Sequence, residues 1–524
     1  MTSAPATPAS GNAAGLPKRQ QAVLGLDLGT QSTKAALVAL DGKPLGSHAV
    51  SVTFKRPEQG WAEQNPEVLV QSALACVAAL TDRFPHIEIT CIGIAAQMGG
   101  AIGIDEWFSP VTPHEMWLDT RADADREELL AAYGPEILRK NGIIPFVTPR
   151  VRRWLRLDPA LGDSIARIVA PAGYLAGRLT GASAADAVCD RTQANLFGCF
   201  DVAANAWDAD LAERSGLPSR LLPRIADAFE IVGKLSPEMA AACGVRPDTP
   251  VTAGMGDGTG GWFAAGGTEP GICVDTSGSS AHFAVTVDHF VTDPEGLLSC
   301  MPSAAPGRFY LLGFTTSTGL SHRWLSETFG KSYEELERLA AASPPGAGGI
   351  LAVPHLNGRV SPFEASIKGA FIGFDDKTGA GDLYRALLEA SAFELNSWLT
   401  AVRRLAPDVV LSSVVNVGGG AQNALWNQIK ADVTGLTFRT AKQEVNAARG
   451  AALAAGIAVG AVDLARHDWF AADYLGARAF TPDPESHTAY GPYRDGYAAL
   501  TEHLLPIYRS LQHLRQHTSK KAPP

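Results

Sequence analysis

A strand, a polar turn with one aspartate and a second strand occur twice in this chain, roughly half its length apart, and that repetition limits the fold more than any other feature. Residues 23–28 form a short apolar run broken by Asp27, residues 29–32 carry turn chemistry, and residues 34–40 are apolar again before Asp41-Gly42, a strong hairpin signal. Residues 47–54 alternate, so the opening reads as a three-stranded meander. The same grammar returns as an apolar strand at 271–274, the turn Asp275-Thr276-Ser277-Gly278-Ser279-Ser280, and a strand at 281–287. A chain of 524 residues is long enough for two or three domains. A duplicated architecture follows, with two α/β lobes that each open on strand, turn and strand.

Between these signals, helical spacing predicts helices at 66–80, 123–132 and 150–157, and an apolar run predicts a strand at 87–95. WFAAGGTEPG interrupts regular structure, which places the lobe boundary within 258–271. A helix from about 490 to 516 and the polar tail HTSKKAPP close the chain. The expected divisions are a disordered lead-in at 1–20, a first lobe at 21–262, a second at 263–490, and a helix and tail at 491–524. The lead-in is small and polar, without the apolar core of a signal peptide, and the apolar stretch 451–465 is too short for a bilayer and carries Asp463.

Charge narrows the partners. Lys and Arg number 44 against 54 Asp and Glu, a net charge of −10 spread along the chain, which repels a phosphate backbone and offers no basic stripe to nucleic acid or anionic lipid. The seven cysteines are odd in number, dispersed and never in a C-x-x-C pair, so a reducing, cytoplasmic setting without zinc is expected. Small molecules are the expected partners, with a homodimer left open.

Three segments could carry chemistry. D27-L-G-T-Q-S-T-K34 puts a carboxylate at a strand end before glycine and hydroxyl residues. Backbone N–H groups and hydroxyls in such a turn can wrap phosphate, and the acid can hold Mg²⁺ through water; a plain decorated hairpin is the competing reading. T252-A-G-M-G-D-G-T-G-G261 surrounds Asp257 with glycines, as a loop presenting a general base would, or as an ordinary glycine turn would. V415-N-V-G-G-G-A-Q-N-A-L-W-N-Q-I-K-A-D432 reads as strand, glycines and helix, a place for a flat nucleobase or a tight packing turn.

Rival motifs fail. Gly256, Gly258 and Gly261 fit G-x-G-x-x-G, but only residues 262–265 could form a crossover helix, and Asp257 would repel a pyrophosphate. Gly330-Lys331-Ser332 lacks the upstream P-loop glycine, where Leu325 stands, and Gly278-x-Ser280 meets His282 where a nucleophile elbow needs glycine.

Taken together, DLGT at 27–30, Gly256-Asp257, DTSGSS and GGGAQNALWNQIKAD resemble, in order and spacing, the FGGY family of carbohydrate kinases. W61-A-E-Q-N-P66, Gln97-Met98, W117-L-D-T-R121, Y174-L-A-G-R-L-T-G181, N357-G-R-V-S-P362 and A447-A-R-G-A-A452 extend the resemblance from about residue 22 to 500. It implies a two-lobed actin-like ATPase fold, a duplicated ribonuclease H-like α/β fold, with the catalytic cleft between lobes. It further implies ATP with Mg²⁺ as donor and Asp257 as general base toward a sugar hydroxyl. Thr30, Gln31, Ser32, Thr33, Lys34, Gly278, Ser279 and Ser280 would hold the phosphates, Asp27 the metal, and Gly418, Gly419, Gly420 and Asn423 the adenine. Gln97, Met98, Trp117, Asp119 and Arg121 would face the sugar. W-A-E-Q and Q-M are most similar to the xylulokinase branch, which points to a pentulose such as D-xylulose. Another ketose such as ribulose, a glycerol-like polyol, or a non-catalytic sugar-sensing or regulatory protein on the same ATPase fold are the alternatives.

The pattern departs in three places. Gly99 stands where that branch carries histidine, Gly258 where the family carries an amide side chain, and Arg150 approximates the family lysine with one residue of extra spacing. Two missing polar contacts imply a roomier or differently specific pocket.

Overall fold

The computed structural model describes residues 19–278, 280–441, 446–464, 469 and 478–519. The opening meander forms as β1 (Gln20–Leu28), β2 (Ser32–Ala39) and β3 (Pro44–Ser51), paired antiparallel in sequence order. β4 (Ile87–Ala96) runs parallel to β1 on its other side. Beyond it lie β5 (Ile231–Lys234), β6 (Pro250–Thr252) and the two-residue β7 (Met255–Gly256), in the order β5-β6-β4-β1-β2-β3 with β7 also on β4. Central strands such as β1 and β4 are buried on both faces, which is why they read as near-continuous apolar runs. The helix α1 (Pro66–Arg83) covers one face; Asn65 caps it by accepting from the Glu67 N–H at 3.1 Å, with Pro66 in its first turn. Leu24, Leu26 and Leu28 share a cluster with Leu69, Val70, Val77 and Leu80 of that helix.

After α2 (Asp257–Ala264) the second sheet repeats this plan. Its strands are β8 (Cys273–Ser277), β9 (Ala281–Val287), β10 (Ser299–Pro302), β11 (Phe309–Thr315), β12 (Val414–Val417), β13 (Phe438–Thr440) and β14 (Ala479–Phe480). The order is β10-β11-β9-β8-β12-β13-β14, with β8, β9 and β11 antiparallel and β12 and β13 parallel to β8. Both sheets thus join an antiparallel meander to parallel strands through the meander's first strand. α3 (Ala380–Leu405) and α4 (Ala424–Thr434) pack beside this sheet.

Sequence order and spatial grouping part at α5 (Ala447–Ala458). It packs across on the β1–β4 face opposite α1, where Val23 joins Ala448, Ala452 and Ala455. The approach is backbone to backbone: a Cβ on Gly25 would stand 1.9 Å from the Ala448 carbonyl oxygen, and one on Gly93 1.9 Å from that of Ala451.

Several boundaries move. The helix expected at 123–132 continues to Asn141, and that at 150–157 begins at Val147. The late helix spans Gly491–Ser519, so the expected tail starts inside it. Of the lead-in, residues 1–18 lie outside the described residues, whereas Gln20 already opens β1. Among the described residues no helix is long and apolar enough to cross a membrane.

Candidate active site

The candidate site lies at the carboxyl ends of parallel strands, where open α/β sheets bind ligands. Asp27 of β1 is in register with Ala95 of β4, and Met255 of β7 is in register with the same Ala95 from the other side. Two strand spacings separate the Asp27 and Met255 backbones by about 10 Å. Asp257 follows two residues later as the first residue of α2. The residue is half-buried, and the Gly258 N–H donates to its Oδ1 at 2.8 Å. Burial pushes its pKa up to about 6, despite the backbone hydrogen bonds that favour the charged form.

The glycine loop expected around Asp257 is therefore a helix. Gly254, just before it, takes the left-handed backbone at φ +92°, whereas other glycines here serve close packing. A Cβ on Gly256 would stand 2.5 Å from Met98 Sδ, and one on Gly450 of α5 would stand 2.0 Å from the Gly260 carbonyl oxygen. Single-sequence spacing cannot separate a glycine that turns the chain from one that admits a neighbour.

Of the first phosphate segment, Gly29, Thr30 and Gln31 form the turn, closed by the Gly29 N–H donating to the Ser32 carbonyl at 3.1 Å. Ser32, Thr33 and Lys34 lie in β2, with Lys34 opposite Asp27. Thr33 is a correction: its side chain is fully buried and its hydroxyl meets Ser72 of α1 at 2.7 Å, because strand alternation turns it away from the sheet end.

The segments expected to face a sugar separate into two kinds. Met98 rests against Gly256 and Gly258 beside the Asp257 carboxylate, and Trp117 is 42% exposed and donates its Nε1–H to Thr30 Oγ1 at 3.2 Å. Gln97 is buried behind them, its Nε2 donating to Gln64 Oε1 at 3.4 Å. Asp119 and Arg121 instead engage each other. Asp119 accepts from the Ala62 N–H at 2.7 Å, and Arg121 Nε donates to its Oδ2 at 2.9 Å. Arg121 also pairs with Glu63 at 3.2 Å and lies 4.0 Å over the Trp61 ring. Burial raises the Asp119 pKa, but Arg121 and the backbone N–H groups more than offset it, so the carboxyl titrates below its usual range. The spacing D-x-R is that of a clamp on the W61-A-E-Q loop. Arg150 plays a similar part: fully buried, it donates Nη2 to the Met116 carbonyl at 2.6 Å and so fixes the approach to Trp117.

In the second lobe the strand expected at 271–274 spans Cys273–Ser277, so the turn shrinks to 278–280, with Ser279 outside the described residues. Asp275 accepts from Ser277 Oγ at 2.9 Å and from the buried Lys430 Nζ at 2.5 Å. Gly418 has φ 88°, and a Cβ there would lie 2.6 Å from the Ser277 carbonyl oxygen, whereas one on Gly419 would meet nothing within 4 Å. The phosphate and adenine segments expected from sequence are thus in contact, with open space over Gly419. Asn423 is spent on capping α4, accepting from the Trp426 N–H at 2.9 Å, and on Glu337, to which its Nδ2 donates at 2.8 Å.

The lobes meet beside Asp257. Trp262 of α2 packs on Tyr310 with ring centroids 5.1 Å apart, in a cluster holding Met98 from the first lobe and Val274, Val415 and Val417 from the second.

Residues the sequence did not single out hold the strand that leads into Asp257. Asp190, Thr192 and Gln193, on and beside the short helix Arg191–Ala194, are buried against β7. Thr192 Oγ1 accepts from the Gly256 N–H at 2.9 Å, and Gln193 Nε2 donates to the Met255 carbonyl at 3.1 Å. The available signal was six successive polar or small residues, D190-R-T-Q-A-N195, between apolar runs.

Two matched sheets and a cleft between them, bordered by a carboxylate and glycine turns, define the two-lobed actin-like phosphotransferase class. The N-terminal domain of the FGGY family of carbohydrate kinases matches residues 22–264, and the C-terminal domain of that family matches residues 273–459. The chain belongs to the FGGY family of carbohydrate kinases and is a phosphotransferase. It is 28% identical over 494 residues to a xylulose kinase of Escherichia coli (strain K12), covering 92% of this chain and 99% of that protein. A gluconokinase of Bacillus subtilis (strain 168) is 26% identical over 432 residues, covering 78% and 82%. The crystal structure of a xylulose kinase from Rhodospirillum rubrum superposes with a TM-score of 0.85 at 26% identity, covering 93% of this chain and all of that one.

Proposed function

We propose that the protein transfers the γ-phosphoryl group of ATP to a hydroxyl of a pentulose, D-xylulose being the first candidate, with Asp257 as general base. The observation that carries the reading is the position of Asp257: half-buried, with a raised pKa, on the same sheet end as Asp27 and at the seam between lobes. The sugar oxygen forms a bond to the γ-phosphorus as the bond to the β,γ-bridging oxygen breaks, the hydroxyl proton passes to Asp257, and ADP leaves. Such transfer asks the protein mainly for positioning and charge neutralisation. Thr30, Gln31, Ser32 and Lys34 from one lobe and Gly278, Ser279 and Ser280 from the other would hold the phosphates, with adenine over Gly419.

Mg²⁺ fits this reading as an ion carried mainly by the nucleotide. Among the described residues no three His, Cys, Asp or Glu side chains gather to cage a metal, which suits an ion that keeps several waters and takes one carboxylate, Asp27. When bound it supplies charge neutralisation on the phosphates.

Substrate choice rests on the walls near Asp257. Gly99, at φ +73°, faces the Phe146 ring, where a Cβ would come within 3.3 Å, and Gly258 faces Trp262 and Met98. The two polar contacts expected from the family are replaced by apolar ones, which favours an open-chain ketose whose carbons line this wall. The E. coli and R. rubrum relatives named for xylulose support a pentulose; the gluconokinase relative keeps a sugar acid as the second reading. ADP formation from ATP with D-xylulose, ribulose, gluconate and glycerol tests it. A kcat/KM for D-xylulose at least tenfold above the others supports the proposal, and preference for gluconate or indifference to all four contradicts it.

A further inference from the structure

β7 pairs with β4 through only two residues, Met255 and Gly256, on one edge. Gly256 immediately precedes Asp257, so whatever fixes Gly256 fixes the carboxylate. The peptide group that joins Met255 to Gly256 has both its polar atoms bound by side chains. The Gly256 N–H donates to Thr192 Oγ1 at 2.9 Å, and the Met255 carbonyl accepts from Gln193 Nε2 at 3.1 Å.

The Thr192 hydroxyl is itself aimed. It donates to Asp190 Oδ2 at 2.5 Å, and the same oxygen accepts the Thr192 N–H at 2.8 Å, which leaves the hydroxyl lone pairs for Gly256. Asp190, Thr192 and Gln193 are each at most 2% exposed, so no bulk water competes for these bonds. Met98 closes the third side, with its Sδ 2.5 Å from where a Cβ on Gly256 would stand.

We propose that Asp190 and Thr192 are positioning residues for the general base. Asp190 orients the Thr192 hydroxyl, the hydroxyl holds the Gly256 N–H, and that bond sets where Asp257 begins α2. Neither residue touches substrate, and the phosphate and adenine segments lie elsewhere, so the chain acts on the chemical step rather than on binding. The inference rests on Asp257 being the base. Small displacements of a reacting group can cost about 10²-fold in rate.

The test is Thr192→Val, which keeps the shape and removes the hydroxyl, beside Thr192→Ser, which restores it, and Asp257→Asn. For Thr192→Val the expected result is a kcat lowered about 10–100-fold, with KM for sugar and for ATP within about twofold of the parent. The acid-limb midpoint of the kcat–pH profile should also move, and Thr192→Ser should recover kcat and the profile. Should valine fail to fold, Thr192→Ala carries the same comparison. A Thr192→Val kcat within twofold of the parent, or a loss that serine does not repair, overturns the proposal while Asp257→Asn remains inactive. Full activity of Asp257→Asn would instead remove the base assignment on which the proposal depends.

Discussion

Asp27 and Met255, two residues before Asp257, flank the same residue, Ala95, on opposite edges of β4. The two carboxylates therefore share one sheet end, separated by one strand, and a phosphate chain lying over that strand would have Asp27 on one side and Asp257 on the other.

This placement predicts a division of labour. Asp27→Asn should raise the Mg²⁺ concentration for half-maximal activity about 10–100-fold while sugar binding without nucleotide stays unchanged. Initial rates against Mg²⁺ at fixed ATP, with sugar binding by calorimetry, check it; an unchanged Mg²⁺ requirement would take Asp27 out of the metal site.

The proposed role of Asp257 as general base has a pH signature. With a pKa of about 6, the Asp257 carboxylate of the free enzyme is half protonated at that pH, so kcat/KM should fall tenfold per unit below it. Stability runs the other way. The folded chain keeps this proton between about pH 4 and 6, where the unfolded chain has lost it, so stability from this group falls as pH rises through that window and stays lower above it. Asp257→Asn should therefore stabilise the free enzyme at pH 7 by about 1–2 kcal/mol, after allowance for the solvent the carboxylate still reaches. Urea unfolding of the two proteins at pH 7 and at pH 4 reads this directly: the gain should shrink at the lower pH.

Arg121 should matter to folding more than its place in W-L-D-T-R suggests. Arg121→Met leaves the buried Asp119 and Glu115 carboxylates without their shared cation, a loss of about 3–5 kcal/mol. Denaturant unfolding checks it, and a change below about 1 kcal/mol would return Arg121 to the surface of the site.

The seating of α5 on the first sheet is equally testable. A methyl on Gly93 meets the Ala451 carbonyl, which cannot move without lifting the helix. Gly93→Ala should cost about 1–3 kcal/mol or more, read as a lower unfolding midpoint. Gly348→Ala is less informative, because its φ of +68° strains alanine even though open space surrounds it.

The sequence carried the meander, its repetition and the aspartate at each turn, because strand alternation and hairpin turns are local signals. It carried the ends of β9 without error. It could not carry the seating of α5, since backbone contact through Gly25 and Gly93 leaves no periodic trace. Nor could it tell that Thr33 points inward to Ser72, or that Arg121 spends itself on Asp119 and Glu63, because residue type and spacing are the same for a ligand contact and for a clamp. The buried run from Asp190 lay outside every motif, yet it holds the strand that leads into Asp257.

The most direct measurement is the sugar-dependent rate of ADP formation by Asp257→Asn beside the parent, at saturating D-xylulose and ATP. The account predicts at least a 10²-fold loss of kcat in a protein that remains folded and still binds both substrates. Near-parental turnover by that variant would contradict it.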